Sequence, residues 1–101
     1  MQIELHAMPD VKLLTPKVFS DSRGYFLETW SNRALRARGV DTGFVQDNQS
    51  LSKQPGVIRG LHFQLAPFAQ GKLVRVIAGA IYDVAVDIRT GSPTYGKHVA
   101  A

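Results

Sequence analysis

The sequence predicts an all-β fold of the sandwich or barrel type, on three observations. Short runs rich in β-branched and aromatic residues recur along the 101 residues, divided by turn clusters about every 8–12 residues, the spacing of antiparallel sandwiches and barrels. The two strongest runs, residues 72–77 and 80–88, flank Ala78-Gly79, a hairpin-turn candidate. Only one short helix is readable. A jelly roll holds eight strands in two Greek keys. Roughly seven segments are legible here, so the barrel is expected to remain incomplete within this chain.

Residues 11–14 form the first predicted strand, ended by Pro16, and Val18-Phe19 begins the next. Ser20-Asp21-Ser22-Arg23-Gly24 has turn composition. Residues 25–30 are aromatic-rich and read as a strand. Ser31 is placed as a helix N-cap, residues 32–38 follow, and Gly39 can end the helix in a left-handed conformation. Phe44-Val45 opens another strand, Lys53-Gln54-Pro55-Gly56 is a turn, and residues 57–64 form the strand carrying His62. A loop over 66–71 leads into the 72–77 and 80–88 pair. In the latter, Tyr82, Val84, Val86 and Ile88 share a face expected to be core. The opposite face carries Asp83 and Asp87, which demands solvent or a polar cavity. Gly91-Ser92-Pro93-Thr94 is a loop, and residues 95–101 start a last strand.

A chain of this length holds one domain at most, so residues 1–101 are expected to be a single β domain. Its 45% apolar and 20% charged content is that of an ordinary globular protein. No apolar run approaches the roughly 20 residues of a membrane span. No secretory signal is visible and there is no cysteine, which together lead to an expectation of a cytoplasmic protein. The net charge of +4 favours anionic partners. The cations are dispersed, so a small phosphorylated ligand is favoured over nucleic acid.

The chemistry-bearing stretch is Arg59-Gly60-Leu61-His62-Phe63-Gln64, with Lys72 opening the next apolar run. An imidazole titrates near 6.5 and suits a general base at neutral pH. Flanking cations lower the cost of an anionic substrate or an enolate. Taken singly, a histidine in apolar surroundings is more often a buried residue satisfied by a carbonyl. Arg59 and Lys72 move that balance toward chemistry. Gln46-Asp47-Asn48-Gln49-Ser50 is either a polar loop or a hydrogen-bonding face, because amides both donate and accept. The histidines, His6, His62 and His98, form no His-x-His pair, which argues against a metal site.

Five ordered segments resemble the dTDP-4-dehydrorhamnose 3,5-epimerases. They are residues 21–29, residues 44–50, residues 59–64, Gln70-Gly71-Lys72-Leu73-Val74-Arg75, and residues 83–89 with Ser92-Pro93-Thr94. The resemblance implies a cupin-type jelly roll (a double-stranded β-helix), of which this chain corresponds to the N-terminal part. It implies a homodimer without cofactor or metal, acting on a dTDP-4-keto-6-deoxyhexose in dTDP-rhamnose synthesis, with neither nucleic acid nor membrane as partner. His62 then matches the base that removes the C3 and C5 protons, and Lys72 the cation that stabilises the enolate. Arg59 matches a contact near the sugar or phosphates. Arg23, Glu28, Gln46, Asp47 and Asn48 match contacts to the nucleotide and diphosphate, with Phe19 and Phe26 lining or stacking in that region. Gln49 stands where the family usually has histidine.

The resemblance also places the general-acid tyrosine and the aspartate partner of the base beyond Ala101. Tyr82 and Tyr95 do not match the acid's motif. Two related enzymes would use the same base and cation, a single-centre epimerase and a ketoisomerase; the alternative of another class is a non-catalytic nucleotide-sugar binding module.

Overall fold

The computed structural model describes residues 1–5 and 7–101. Its regular elements are three antiparallel strand pairs and one helical turn and a half. β1 (Gln2–Leu5) pairs with β2 (Lys12–Thr15), setting Ile3 opposite Leu14. β1 was not expected: two of its four residues are polar, and only pairing with β2 gives it strand identity. β3 (Val18–Asp21) and β4 (Gly24–Leu27) form a hairpin with Ser22 and Arg23 at its tip. Asp21 Oδ1 accepts the Arg23 backbone N–H at 2.8 Å, an Asx turn that favours reversal. Gly24 closes the turn at φ +143°, a conformation that an L side chain rarely adopts. The strand expected over 25–30 therefore begins one residue earlier and stops at Leu27.

α1 (Asn32–Arg36) starts as predicted. The Ser31 hydroxyl accepts the Ala34 N–H at 3.2 Å. At its other end the Val40 N–H donates to Leu35 O and the Gly39 N–H to Arg36 O, with Gly39 at φ +81°. That is a Schellman-type end, and it makes the helix two residues shorter than the expected 32–38. Trp30 and Phe44 meet edge-to-face, 5.4 Å between ring centroids and 79° between planes. They bring the segments before and after α1 together.

β5 (Val84–Val86) and β6 (His98–Ala100) form the third pair. Reciprocal bonds between Asp83 and Ala101, a bond from the Asp87 N–H to Lys97 O and one from the Gly96 N–H to Asp87 O extend their association. The strands expected at 80–88 and 95–101 are thus present only as these three-residue cores.

Three predicted strands are corrected. Residues 44–45, 57–64 and 72–77 have no strand pairing. The expected hairpin at Ala78-Gly79 is a bend with Gly79 at φ +83° and no ladder around it. The reason is physical: a strand exists by virtue of a neighbouring backbone. Among the described residues from 41 to 82, the one backbone bond outside regular elements joins Phe68 N–H to Leu65 O. The turn at 53–56 does form, with Gly56 at φ +78°.

The expected core face also fails, because Tyr82, Val86 and Ile88 are exposed. Among the described residues the buried apolar side chains are Leu35, 1% exposed, and Met8, 3% exposed. The accessible surface is 9126 Å², whereas a compact protein of 11.1 kDa exposes about 5,700 Å². The radius of gyration is 15.6 Å, against about 13 Å for a compact domain of this length. The chain is therefore an open β framework whose apolar runs face outward.

Candidate active site

His62, Lys72 and Arg59 lie on the extended, unpaired stretch rather than on the paired strands expected of them. All three are exposed. Arg59 is held: its Nε donates to Ser52 Oγ at 3.0 Å and its Nη2 to Leu51 O at 3.1 Å. These bonds tie the polar segment before the 53–56 turn to the strand-like segment after it. Gly60 has φ +112°, and a Cβ there would lie 3.6 Å from both His62 N and Nδ1. The imidazole edge thus rests against a residue whose backbone favours glycine. Lys72 follows Gly71, whose would-be Cβ falls 3.2 Å from Thr42 Cγ2.

The β3–β4 hairpin gathers a second group. Phe19 and Phe26 are directly opposite across the ladder, so their rings leave the same face of the hairpin. They are 54% and 72% exposed. Lys17 Nζ stands 4.9 Å from the Phe19 ring centroid, a cation–π contact. An open aromatic pair beside a cation suits a planar, anionic ligand.

Arg23 is not a free cation. Its guanidinium pairs with Asp21 at 2.7 Å. Arg23's side-chain and backbone hydrogen bonds hold the Asp21 carboxyl below the usual carboxylate range, and the pairing raises the Arg23 guanidinium. A ligand phosphate would have to compete with Asp21. Glu28 follows β4 and is exposed. In the polar segment Gln46 Nε2 donates to Asn48 Oδ1 at 3.4 Å, and Asp47 between them is exposed. The structure thus brings together Phe19 with Phe26 and Gln46 with Asn48. Among the described residues no direct hydrogen bond or ion pair joins His62 to Lys72.

A separate polar hub was only half legible. Asp87, whose side chain is 1% exposed, accepts five hydrogen bonds. They come from the Arg89 backbone N–H, Nε and Nη2, and from the Ser92 and Thr94 hydroxyls. Arg89 Nη1 also reaches Asp10 at 2.6 Å. Arg89 first, then the two hydroxyls, push the Asp87 carboxyl far below the usual carboxylate range, and Asp87 raises Arg89 in turn. The Asp-x-Arg-x-x-Ser-x-Thr spacing was the available signal, since short polar side chains bond to nearby backbone and to each other. The hub fixes the 89–97 loop against β5 and, through Asp10, the turn after β1. A small cleft lined by Met8, Asp10, Val11 and residues 85–89 lies beneath it; this cleft contains none of the predicted site residues.

Among the described residues no group of three or more histidine, cysteine or carboxylate side chains is placed to hold a metal, and no helix is long and apolar enough to cross a membrane.

The sequence matches the family described as dTDP-4-dehydrorhamnose 3,5-epimerase over residues 6–101. The chain belongs to this family. It is 56% identical over 101 residues to the dTDP-4-dehydrorhamnose 3,5-epimerase of Sinorhizobium fredii, covering all of this chain and 52% of that protein. It superimposes with a TM-score of 0.95 on the Bacillus anthracis dTDP-4-dehydrorhamnose 3,5-epimerase crystal structure with TDP and PPi bound. That match is 47% identical and covers 99% of this chain and 57% of the other. It is similar, at 46% identity and a TM-score of 0.89, to the Legionella pneumophila dTDP-6-deoxy-D-glucose-3,5-epimerase in complex with dTDP-4-keto-L-rhamnose, covering 99% of this chain and 53% of that one. The chain spans about half the length of the curated relatives it matches. Its path is that of the family's cupin-type jelly roll. The open framework is this fold with the extended segments of 44–83 unpaired.

Proposed function

We propose that residues 1–101 are a single β domain, the N-terminal part of a 3,5-epimerase. This part supplies the base and the enolate-stabilising cation for epimerisation of dTDP-4-dehydro-6-deoxyglucose at C3 and C5. The observation that carries the reading is the superposition at 46% identity on a relative described in complex with dTDP-4-keto-L-rhamnose. That ligand is a 4-keto sugar, and its C3 and C5 protons flank the carbonyl. Removing either one places charge on the C4 oxygen.

In this reading His62 takes the proton. Lys72 stabilises the oxyanion, a fixed charge aimed where negative charge develops. Phe19 and Phe26 receive the base of the nucleotide on the open hairpin face. Arg59, Arg23, Glu28, Gln46, Asp47 and Asn48 contact the nucleotide, diphosphate and sugar. For Arg23 this means exchanging Asp21 for phosphate. Deprotonation beside a ketone needs neither redox chemistry nor a cofactor. The same reading gives a cytoplasmic enzyme of nucleotide-sugar metabolism that works as a homodimer.

The test is deuterium incorporation at C3 and C5 of the 4-keto sugar nucleotide, followed by NMR. It is run on this chain alone and joined to the C-terminal half of the Sinorhizobium relative. Exchange that is lost in His62→Asn while dTDP binding persists is expected. Exchange near the wild-type rate in His62→Asn would remove His62 from the role of base. Ligand shifts without exchange in both forms would make the domain a nucleotide-sugar binder.

A further inference from the structure

Gly71 has no need of glycine's conformational freedom: its φ lies outside the left-handed region. What it lacks is space. A Cβ built there would stand 3.2 Å from Thr42 Cγ2 and 3.8 Å from Thr42 Oγ1. Carbon pairs are most comfortable at about 3.5–4.0 Å, so a methyl at position 71 would press on the Thr42 methyl, which would have to give by a few tenths of an ångström.

Thr42 is itself held in place. It is half-buried and follows the tightly tied end of α1. Leu35, fully buried, accepts the Val40 N–H at 2.9 Å and the Arg38 N–H at 3.0 Å through its carbonyl. Arg36 Nε bonds Asp41 Oδ1 at 2.6 Å. A short, doubly fastened path therefore runs from the anchored helix to the Thr42 methyl. On the other side, Lys72 is the next residue after Gly71, its Cα about 3.8 Å away. A displacement of Gly71 passes directly to Lys72.

The geometry points to Thr42 as a positioning residue: its methyl is a stop for the Gly71 backbone and so sets where Lys72 presents its ammonium. This rests on the reading of Lys72 as the enolate-stabilising cation. A group that stabilises charge only in the transition state is sensitive to placement, because a shift of about 1 Å can cost about 100-fold in rate.

The contact predicts a compensating pair. Gly71→Ala pushes a methyl onto Thr42 Cγ2, and Thr42→Ser removes that Cγ2 while keeping the hydroxyl 3.8 Å away. Ring-proton exchange is measured with kcat and KM separated, alongside the Lys72 amide resonance in 1H–15N spectra. Gly71→Ala is expected to lower kcat about tenfold with little change in KM, as for an interaction made in the transition state, and to move the Lys72 amide. The Gly71→Ala/Thr42→Ser double variant is expected to return both toward wild type. A double variant as slow as Gly71→Ala, or a Lys72 amide unmoved by Gly71→Ala, overturns the assignment. If the wild-type protein shows no exchange at all, the enolate reading fails, and the amide series alone still decides whether Thr42 sets the position of residue 72.

Discussion

Replacing Leu35 with alanine should open the segment that carries Thr42. Leu35 is 1% exposed, so truncation loses its burial almost in full. The three carbons removed are worth about 0.8 kcal/mol each, or roughly 2.4 kcal/mol. The cavity left behind raises this toward the measured range of about 2.7–5 kcal/mol for buried leucines. α1 cannot absorb that loss, since a helix of five residues has no stability of its own in water. Among the described residues the other buried apolar side chain, Met8, lines the separate cleft at residues 85–89. The cost should therefore appear as local opening, in the exchange of the Leu35, Ala37 and Val40 amides, which donate to Ser31, Arg33 and Leu35 carbonyls. At about 1.4 kcal/mol per decade, protection should fall on the order of 50-fold or more. Leu35→Met, which conserves volume, should cost under about 1.5 kcal/mol. Protection of Val40 reduced less than about threefold in Leu35→Ala would refute the claim that Leu35 anchors this segment.

Three further outcomes follow from the geometry. Lys72→Met should lower the exchange rate by on the order of 100-fold or more with a small change in KM; a change in KM alone would make Lys72 a binding residue. Asp87→Asn keeps shape but removes the charge that Arg89, Ser92 and Thr94 bind. The folded Asp87 carboxyl lies below its ordinary value, so its contribution is complete above about pH 4 and fades as pH falls through the folded value. The stability gap between wild type and Asp87→Asn, read from protection of the Gly96 and Lys97 amides, should therefore be widest at neutral pH and narrow in acid; a gap independent of pH would contradict this. The outward apolar residues Ile58, Ile77 and Tyr82 should make the isolated 101-residue chain bind a hydrophobic dye and sediment above monomer mass. A monodisperse monomer without dye binding would show that these faces find cover within the chain.

What could be read from the sequence was whatever local physics decides. Ser31 and Gly39 marked both ends of α1 because a hydroxyl acceptor and a left-handed glycine satisfy backbone groups a few residues away. The Asp21–Gly24 reversal was legible for the same reason. The all-β class was legible because β-branched runs and turn clusters alternate along the chain. The ladders were not, because pairing is decided by a distant backbone. β1 gained one in β2 without a strong pattern, while residues 72–77 have the pattern and no partner.

The site divides along the same line. His62, Lys72 and Arg59 could be nominated because residue type and order carry chemistry. What fixes them could not. Arg59 is tied to Leu51 and Ser52, Arg23 is occupied by Asp21, and Gly71 lies against a threonine from the segment after α1. Each of these fixings supplies a distance or a competitor rather than a new functional group. In the proposed reading, reactivity is therefore written in the side chains of a few exposed residues, and precision in the backbone contacts that seat them. The glycines at 60 and 71 belong to the second category. Gly60 is favoured by its φ of +112°, and Gly71 by the tight 3.2 Å that a Cβ would have to Thr42. Only Gly71 should therefore be rescued by trimming a neighbour. Alanine at position 60 stays strained whatever surrounds it, because that cost lies in its own backbone.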